Sequence, residues 1–98
     1  MALALQLPAG VTADDLKVLA ARYGARNLRV FGSRAAGTAR PDSDLDLMVD
    51  LEAGRDLFDL VDLKQALEKR VGAAVDVVTE GALSPYMRGG ILATARPL

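Results

Sequence analysis

The chain contains no cysteine and no histidine. The first absence excludes disulfides, zinc–thiolate sites and thiol nucleophiles. The second excludes a histidine-based triad, a haem ligand and an imidazole acid or base. A basic excess is also missing: 12 Lys+Arg stand against 13 Asp+Glu, for a net charge of −1. Gripping nucleic acid relies on neutralising phosphates, so strong direct nucleic-acid binding is not expected. There is no apolar run of 18 residues, so no membrane span is expected. The opening Met1-Ala2-Leu3-Ala4-Leu5 is too short for a signal sequence and lacks a basic leader, so the sequence reads as cytoplasmic. What remains for chemistry is carboxylates, hydroxyls, basic side chains, backbone groups and a borrowed ion. With 98 residues, 51% of them hydrophobic, the expectation is a single globular domain over residues 1–98.

Thr12-Ala13-Asp14-Asp15 reads as a helix start, with Thr12 as N-cap and Asp15 as its capping-box partner. Leu16, Leu19, Ala20 and Tyr23 continue at helical spacing, with Gly24 as the stop. Asn27–Phe31 predicts a short buried strand ending at Gly32. Residues 32–43 read as a loop with one or two helical turns after Ser33. Asp44–Leu51 alternates: Asp44, Asp46, Met48 and Asp50 on one face, Leu45, Leu47, Val49 and Leu51 on the other. That period of two is a strand with one buried side. Asp56 caps a helix whose expected apolar stripe is Leu57, Leu60, Val61, Leu67 and Val71, closed by Gly72. Ala74–Thr79 predicts a third strand. A last helix starts at Ser84-Pro85, weakened by Gly89-Gly90. The order α-β-loop-β-α-β-α implies an α/β (α+β) fold, a small mixed sheet with helices packed against it.

Asp44 and Asp46 leave one face of a strand roughly 7 Å apart, where like charges repel unless a cation lies between them. Asp76 sits among Val75, Val77 and Val78, so it reads as a carboxylate on a buried strand that needs a partner. If the third strand lies beside the second, the three acids converge. Oxygen donors without His or Cys suit Mg²⁺ or Mn²⁺. Gly32 permits close backbone approach, and Ser33 offers a hydroxyl and an N–H to an anion. Each feature also has a plain reading. Asp-x-Asp can be a solvated strand face, Gly-Ser an ordinary turn, and Asp76 the partner of Arg29 or Arg70.

Taken together, Gly32-Ser33, ten residues, then Asp44-Leu45-Asp46 resembles the signature of the polymerase-β-like nucleotidyltransferases. The run from Gly32 to Leu47, with Val75-Asp76-Val77-Val78-Thr79 and Leu83-Ser84-Pro85-Tyr86, is similar to the minimal nucleotidyltransferase (MNT) branch of that superfamily. The resemblance implies that Gly32 and Ser33 hold the β/γ-phosphates of a nucleotide. It implies Asp44 and Asp46 as ligands of two metal ions, with Asp76 completing the site. Arg34 and Arg40 are loop bases open to a phosphate-binding or a solvated role, and Ser43 would order the turn before Asp44. The implied cofactors are Mg²⁺, with two ions and Mn²⁺ as a substitute, and ATP as nucleotide donor.

MNT proteins typically pair with HEPN-domain toxins, so the resemblance implies transfer of AMP to a hydroxyl of such a partner, in an antitoxin role. Two other readings remain: a non-catalytic antitoxin that masks its partner by contact, and a transferase subunit that modifies a small molecule or RNA with a helper chain. Tyr86, Met87, Ile91 and Leu92 in the tail either cap the core or form a partner surface.

Overall fold

The computed structural model describes residues 5–98; the apolar stretch 1–4 and the reading made of it lie outside the described residues. The elements are α1 (Ala13–Arg22), β1 (Ala25–Phe31), α2 (Ser33–Ala36), β2 (Leu45–Leu51), α3 (Leu57–Val71), β3 (Val75–Thr79), a 3₁₀ turn (Glu80–Ala82), α4 (Pro85–Thr94) and β4 (Arg96–Pro97). The strands form one sheet in the order β3-β2-β1-β4. β1 runs antiparallel to β2 and β4, and β2 runs parallel to β3. A parallel pair cannot be joined by a tight turn, and α3 supplies the crossover.

Local chemistry sets the helix ends. Thr12 accepts from the Asp15 N–H while the Asp15 carboxylate accepts from the Thr12 N–H, and Asp56 and Asp59 repeat the reciprocal box at α3. Gly72 ends α3 in the left-handed conformation at φ 76°. The core lies between one face of the sheet and the helices α1 and α3. Leu16, Ala20, Val30, Leu45, Leu47, Val49, Leu63, Leu67 and Val75 are buried there.

Several expectations change. β1 starts at Ala25 rather than Asn27, because the pairing with β2 slips between Arg26 and Arg29. Asn27, at φ 52°, absorbs the extra residue, so Ala25 and Leu28 both face the core. The buried stripe of α3 is Leu60, Leu63, Leu67 and Val71, not the one through Leu57 and Val61. At about 100° per residue Val61 lies some 200° from Leu63, and Leu57, Phe58 and Val61 are exposed. Met48 is fully buried although it shares the outer sheet face with the acids. β4 had no signal in the sequence; its two residues are placed by pairing with Arg29 and Val30. In the tail, Tyr86, Met87 and Leu92 are exposed and only Ile91 is half-buried. That overturns the reading in which this group caps the core.

These positions make opposite predictions for two apolar residues of one helix. Leu63→Ala should lower unfolding free energy by about 2–5 kcal/mol. Phe58→Ala should change it by less than about 0.5 kcal/mol. Urea unfolding followed by circular dichroism measures both.

Candidate active site

Gly32 ends β1 and turns the chain away from the sheet with φ 72° and ψ −155°, a conformation almost reserved for glycine. The turn brings its backbone against β2: a Cβ at this position would overlap Asp46 Oδ2. Ser33 then opens the single turn of α2. The rest of the 32–43 segment is closed by Arg34. This side chain is 3% exposed, and its guanidinium donates to the carbonyls of Gln6 at 2.7 Å and Ser43 at 2.8 Å. Arg34 is therefore neither solvated nor turned to a ligand; it ties the loop together. Ser43 orders the turn as expected, its hydroxyl accepting from the Arg40 N–H at 2.8 Å while its own N–H donates to the Arg40 carbonyl at 3.0 Å.

β2 emerges from that turn with Asp44 exposed just ahead of the strand and Asp46 half-buried within it. The parallel register places Asp46 directly beside Asp76, and Leu45 beside Val75. Phe31 lies opposite Asp46 on the other side, in β1. Burial and the contact with the Asp76 carboxyl, with a smaller contribution from the Asp44 charge, push Asp46 up to about 6.

Two features of the sequence reading need correction. Asp76 is exposed, because β3 is an edge strand and its outer face is open, so burial does not force a partner on it. Neither arginine offered as its partner serves: Arg29 bonds Asp50 and Glu80, and Arg70 bonds Asp15. The three acids also do not close on one point. Asp46 and Asp76 meet, whereas Asp44 stands ahead of the strand, and no group of three acids among the described residues forms a ready-made metal cage.

The donor set nevertheless fits a hard divalent ion. It offers carboxylate oxygens, with Asp46 and Asp76 in contact, and the ionised form of Asp46, disfavoured by burial and then by the Asp76 charge, is one that a cation would relieve. Mg²⁺ commonly takes one or two carboxylates and completes its shell with water and phosphate oxygens, so an open set suits it.

A cavity of about 300 Å³ opens over the pair, lined by Phe31, Asp46, Lys64, Asp76, Val77, Val78, Leu83, Met87 and Ile91. Sequence reading missed the contributions of α3 and α4, which no local pattern connects to the acids. Phe31 had a weak signal, since it directly precedes Gly32. Farther along the outer face, Arg29 bonds Asp50 at 2.8 Å and lies 3.6 Å from Glu80, which Arg88 of α4 also bonds at 2.8 Å. These ion pairs fasten α4 at one end of the face and leave the Asp46–Asp76 end open.

Comparison with known proteins bears on this arrangement. The model of the nucleotidyltransferase domain matches residues 16–96, spanning both the Gly32-Ser33 bend and all three acids. The chain belongs to the nucleotidyltransferase domain family. Within it, the protein adenylyltransferase MntA of Thermococcus cleftensis is 40% identical over 67 residues, 68% of each chain. A solved structure provisionally named a minimal nucleotidyltransferase is 50% identical, with a TM-score of 0.76 over 87% of each chain. The complex of the tri-AMPylated Shewanella oneidensis HEPN toxin with its MNT antitoxin aligns at a TM-score of 0.65 and 17% identity, over 86% of this chain and 66% of that one. That last likeness is one of fold. The mixed sheet and flanking helices thus match those of minimal nucleotidyltransferases, as the motif resemblance implied. No helix among the described residues is long and apolar enough to cross a membrane.

Two measurements probe this candidate site. Gly32→Ala should lose about 1–3 kcal/mol of stability through backbone strain alone, and should also lose nucleotidyl transfer because Asp46 must move; unfolding curves and activity assays read the two effects. The raised Asp46 favours its protonated form in the folded state. Its contribution therefore turns unfavourable as pH rises from its ordinary 3.8 through about 6. In metal-free buffer Asp46→Asn should be more stable than the parent at pH 7, with the difference shrinking towards pH 4, as read by urea midpoints.

Proposed function

We propose that this nucleotidyltransferase domain transfers AMP from ATP to a hydroxyl of a partner protein, and that the partner is a HEPN-domain toxin which it neutralises in the cytoplasm. The observation that carries the reading is the in-register pair Asp46–Asp76 beside the Gly32-Ser33 bend, on the open end of a sheet face. Support for the acceptor class comes from the relatives, one named a protein adenylyltransferase and another bound to a HEPN toxin carrying AMP groups.

In this reading Asp44, Asp46 and Asp76 hold Mg²⁺, as two ions or with Mn²⁺ in its place. The bound metal supplies charge neutralisation on the phosphates and a lowered pKa at the acceptor hydroxyl. Gly32 brings the loop against Asp46, so a triphosphate held on the loop would lie beside the acids, with Ser33 donating to its β/γ-phosphates. Arg34 and Ser43 act one step back, holding the loop that presents them. Asp76, the exposed acid, faces the acceptor and takes the proton of its hydroxyl, since the chain has no histidine to do so. The acceptor oxygen bonds the α-phosphorus and pyrophosphate leaves. Tyr86, 98% exposed, and Met87, on the cavity wall, put apolar surface where a protein acceptor must approach.

The test incubates the chain with its HEPN partner, Mg²⁺ and ATP labelled on the α-phosphate. Label should appear on the partner, and Asp44→Asn/Asp46→Asn should reduce it by about 100-fold or more, since metal-borne stabilisation is worth several kcal/mol. Full neutralisation of the toxin by this variant without label would instead establish masking by contact.

A further inference from the structure

β3 is an edge strand of five residues, Val75–Thr79. Its inner side pairs with β2, and the Leu45 N–H donates to the Ala74 carbonyl at 3.0 Å. The outer side of such a strand ordinarily presents unpaired N–H and C=O groups. At one residue both are taken. The Val75 N–H donates to Glu68 Oε2 at 3.2 Å, and the Val75 carbonyl accepts from Lys64 Nζ at 2.8 Å. Lys64 and Glu68 are bonded to each other at 3.0 Å. Two side chains one helical turn apart on α3 therefore imitate a neighbouring strand for a single residue.

The place of this clamp is informative. Val75 directly precedes Asp76, and its own side chain is fully buried in the core. Asp76 projects to the opposite face, exposed, in contact with Asp46. Its carboxylate lies against that of Asp46, a like charge when both are ionised, which cannot by itself hold it in place. Its position follows from the backbone of β3, and Lys64 and Glu68 hold that backbone at the adjoining residue. Lys64 also lines the cavity shared by Asp46 and Asp76, so the clamp lies at the wall of the same site.

We propose that Lys64 and Glu68 are positioning residues for the transfer reaction: by bonding both polar groups of Val75 they keep Asp76 in register with Asp46 against like-charge repulsion. The inference rests on the adenylyl-transfer reading of the site. It assigns α3 a second task besides the core packing of Leu63 and Leu67. A purely structural pair would guard the strand edge and leave the acids indifferent to its loss.

The experiment uses the full chain and three variants: Lys64→Ala/Glu68→Ala, Lys64→Met, and Glu68→Gln, which keeps an oxygen acceptor for the Val75 N–H. Three quantities are read: amide exchange in residues 75–78, Mn²⁺ affinity from the free-ion electron paramagnetic resonance signal, and the split of kcat against KM for ATP. In the double variant, exchange should accelerate, Mn²⁺ affinity should fall about 10-fold, and kcat should fall about 10–100-fold. The KM for ATP should stay within about 2-fold, because the Gly32-Ser33 bend is untouched. Glu68→Gln should restore most of each. Lys64→Met retains the Glu68 bond and should fall between, which keeps the test open if the double variant does not fold. Faster exchange with unchanged Mn²⁺ affinity and kcat would overturn the proposal and leave an edge guard. A parent chain that binds no Mn²⁺ would overturn the transfer reading itself, a separate outcome.

Discussion

Two carboxylates held in register across the parallel strands β2 and β3 are the constraint on which the rest depends. Burial of Asp46, and after it the charge of Asp76 alongside, raise the Asp46 carboxyl above its ordinary value, so the ionised pair is costly to hold together. The restraining force comes from the other side of the sheet. Leu45, Leu47 and Val75 alternate with the acids and are wholly buried beneath α1 and α3. A one-residue slip of either strand would drive charges into that core and expose the leucines and valine. Hydrophobic burial on one face thus stores an unfavourable electrostatic arrangement on the other, which a divalent ion can relieve.

The loop from Gly32 to Ser43 shows a similar division of labour. Gly32 packs against Asp46, and it does so through lack of a side chain. Arg34, the basic side chain nearest to it in sequence, is spent on the carbonyl groups of Ser43, at the far end of the segment, and of Gln6. An arginine beside a Gly-Ser bend invites assignment as an anion ligand, yet its five donors equally suit a loop with many unpaired carbonyls. Burial decides between these uses, and here it favours the loop.

The outer sheet face is divided in the same way. At one end Arg29 of β1, Asp50 of β2 and Glu80 of the 3₁₀ turn link the sheet to Arg88 of α4. At the other end the acids stay open beneath a cavity wall made by Leu83, Met87 and Ile91. The helix α4 packs little of its own surface, since Tyr86 and Met87 face solvent. Arg88 ties it to Glu80.

Local pattern alone determined the two capping boxes, the Gly72 stop, the alternation of Asp44–Leu51 and the Gly32-Ser33 bend. Each of these depends on neighbours within a few residues, so the chain carries it legibly. Only tertiary structure decided that Asp76 is exposed, that Asp44 stands apart from the other two acids, and that Arg34 turns inward. It also decided which stripe of α3 is buried and that Lys64 and Glu68 reach Val75. Those outcomes depend on which strand takes the sheet edge and how a helix is rotated against it. Both are settled by the simultaneous packing of residues that lie far apart along the chain, and no spacing within one segment encodes them.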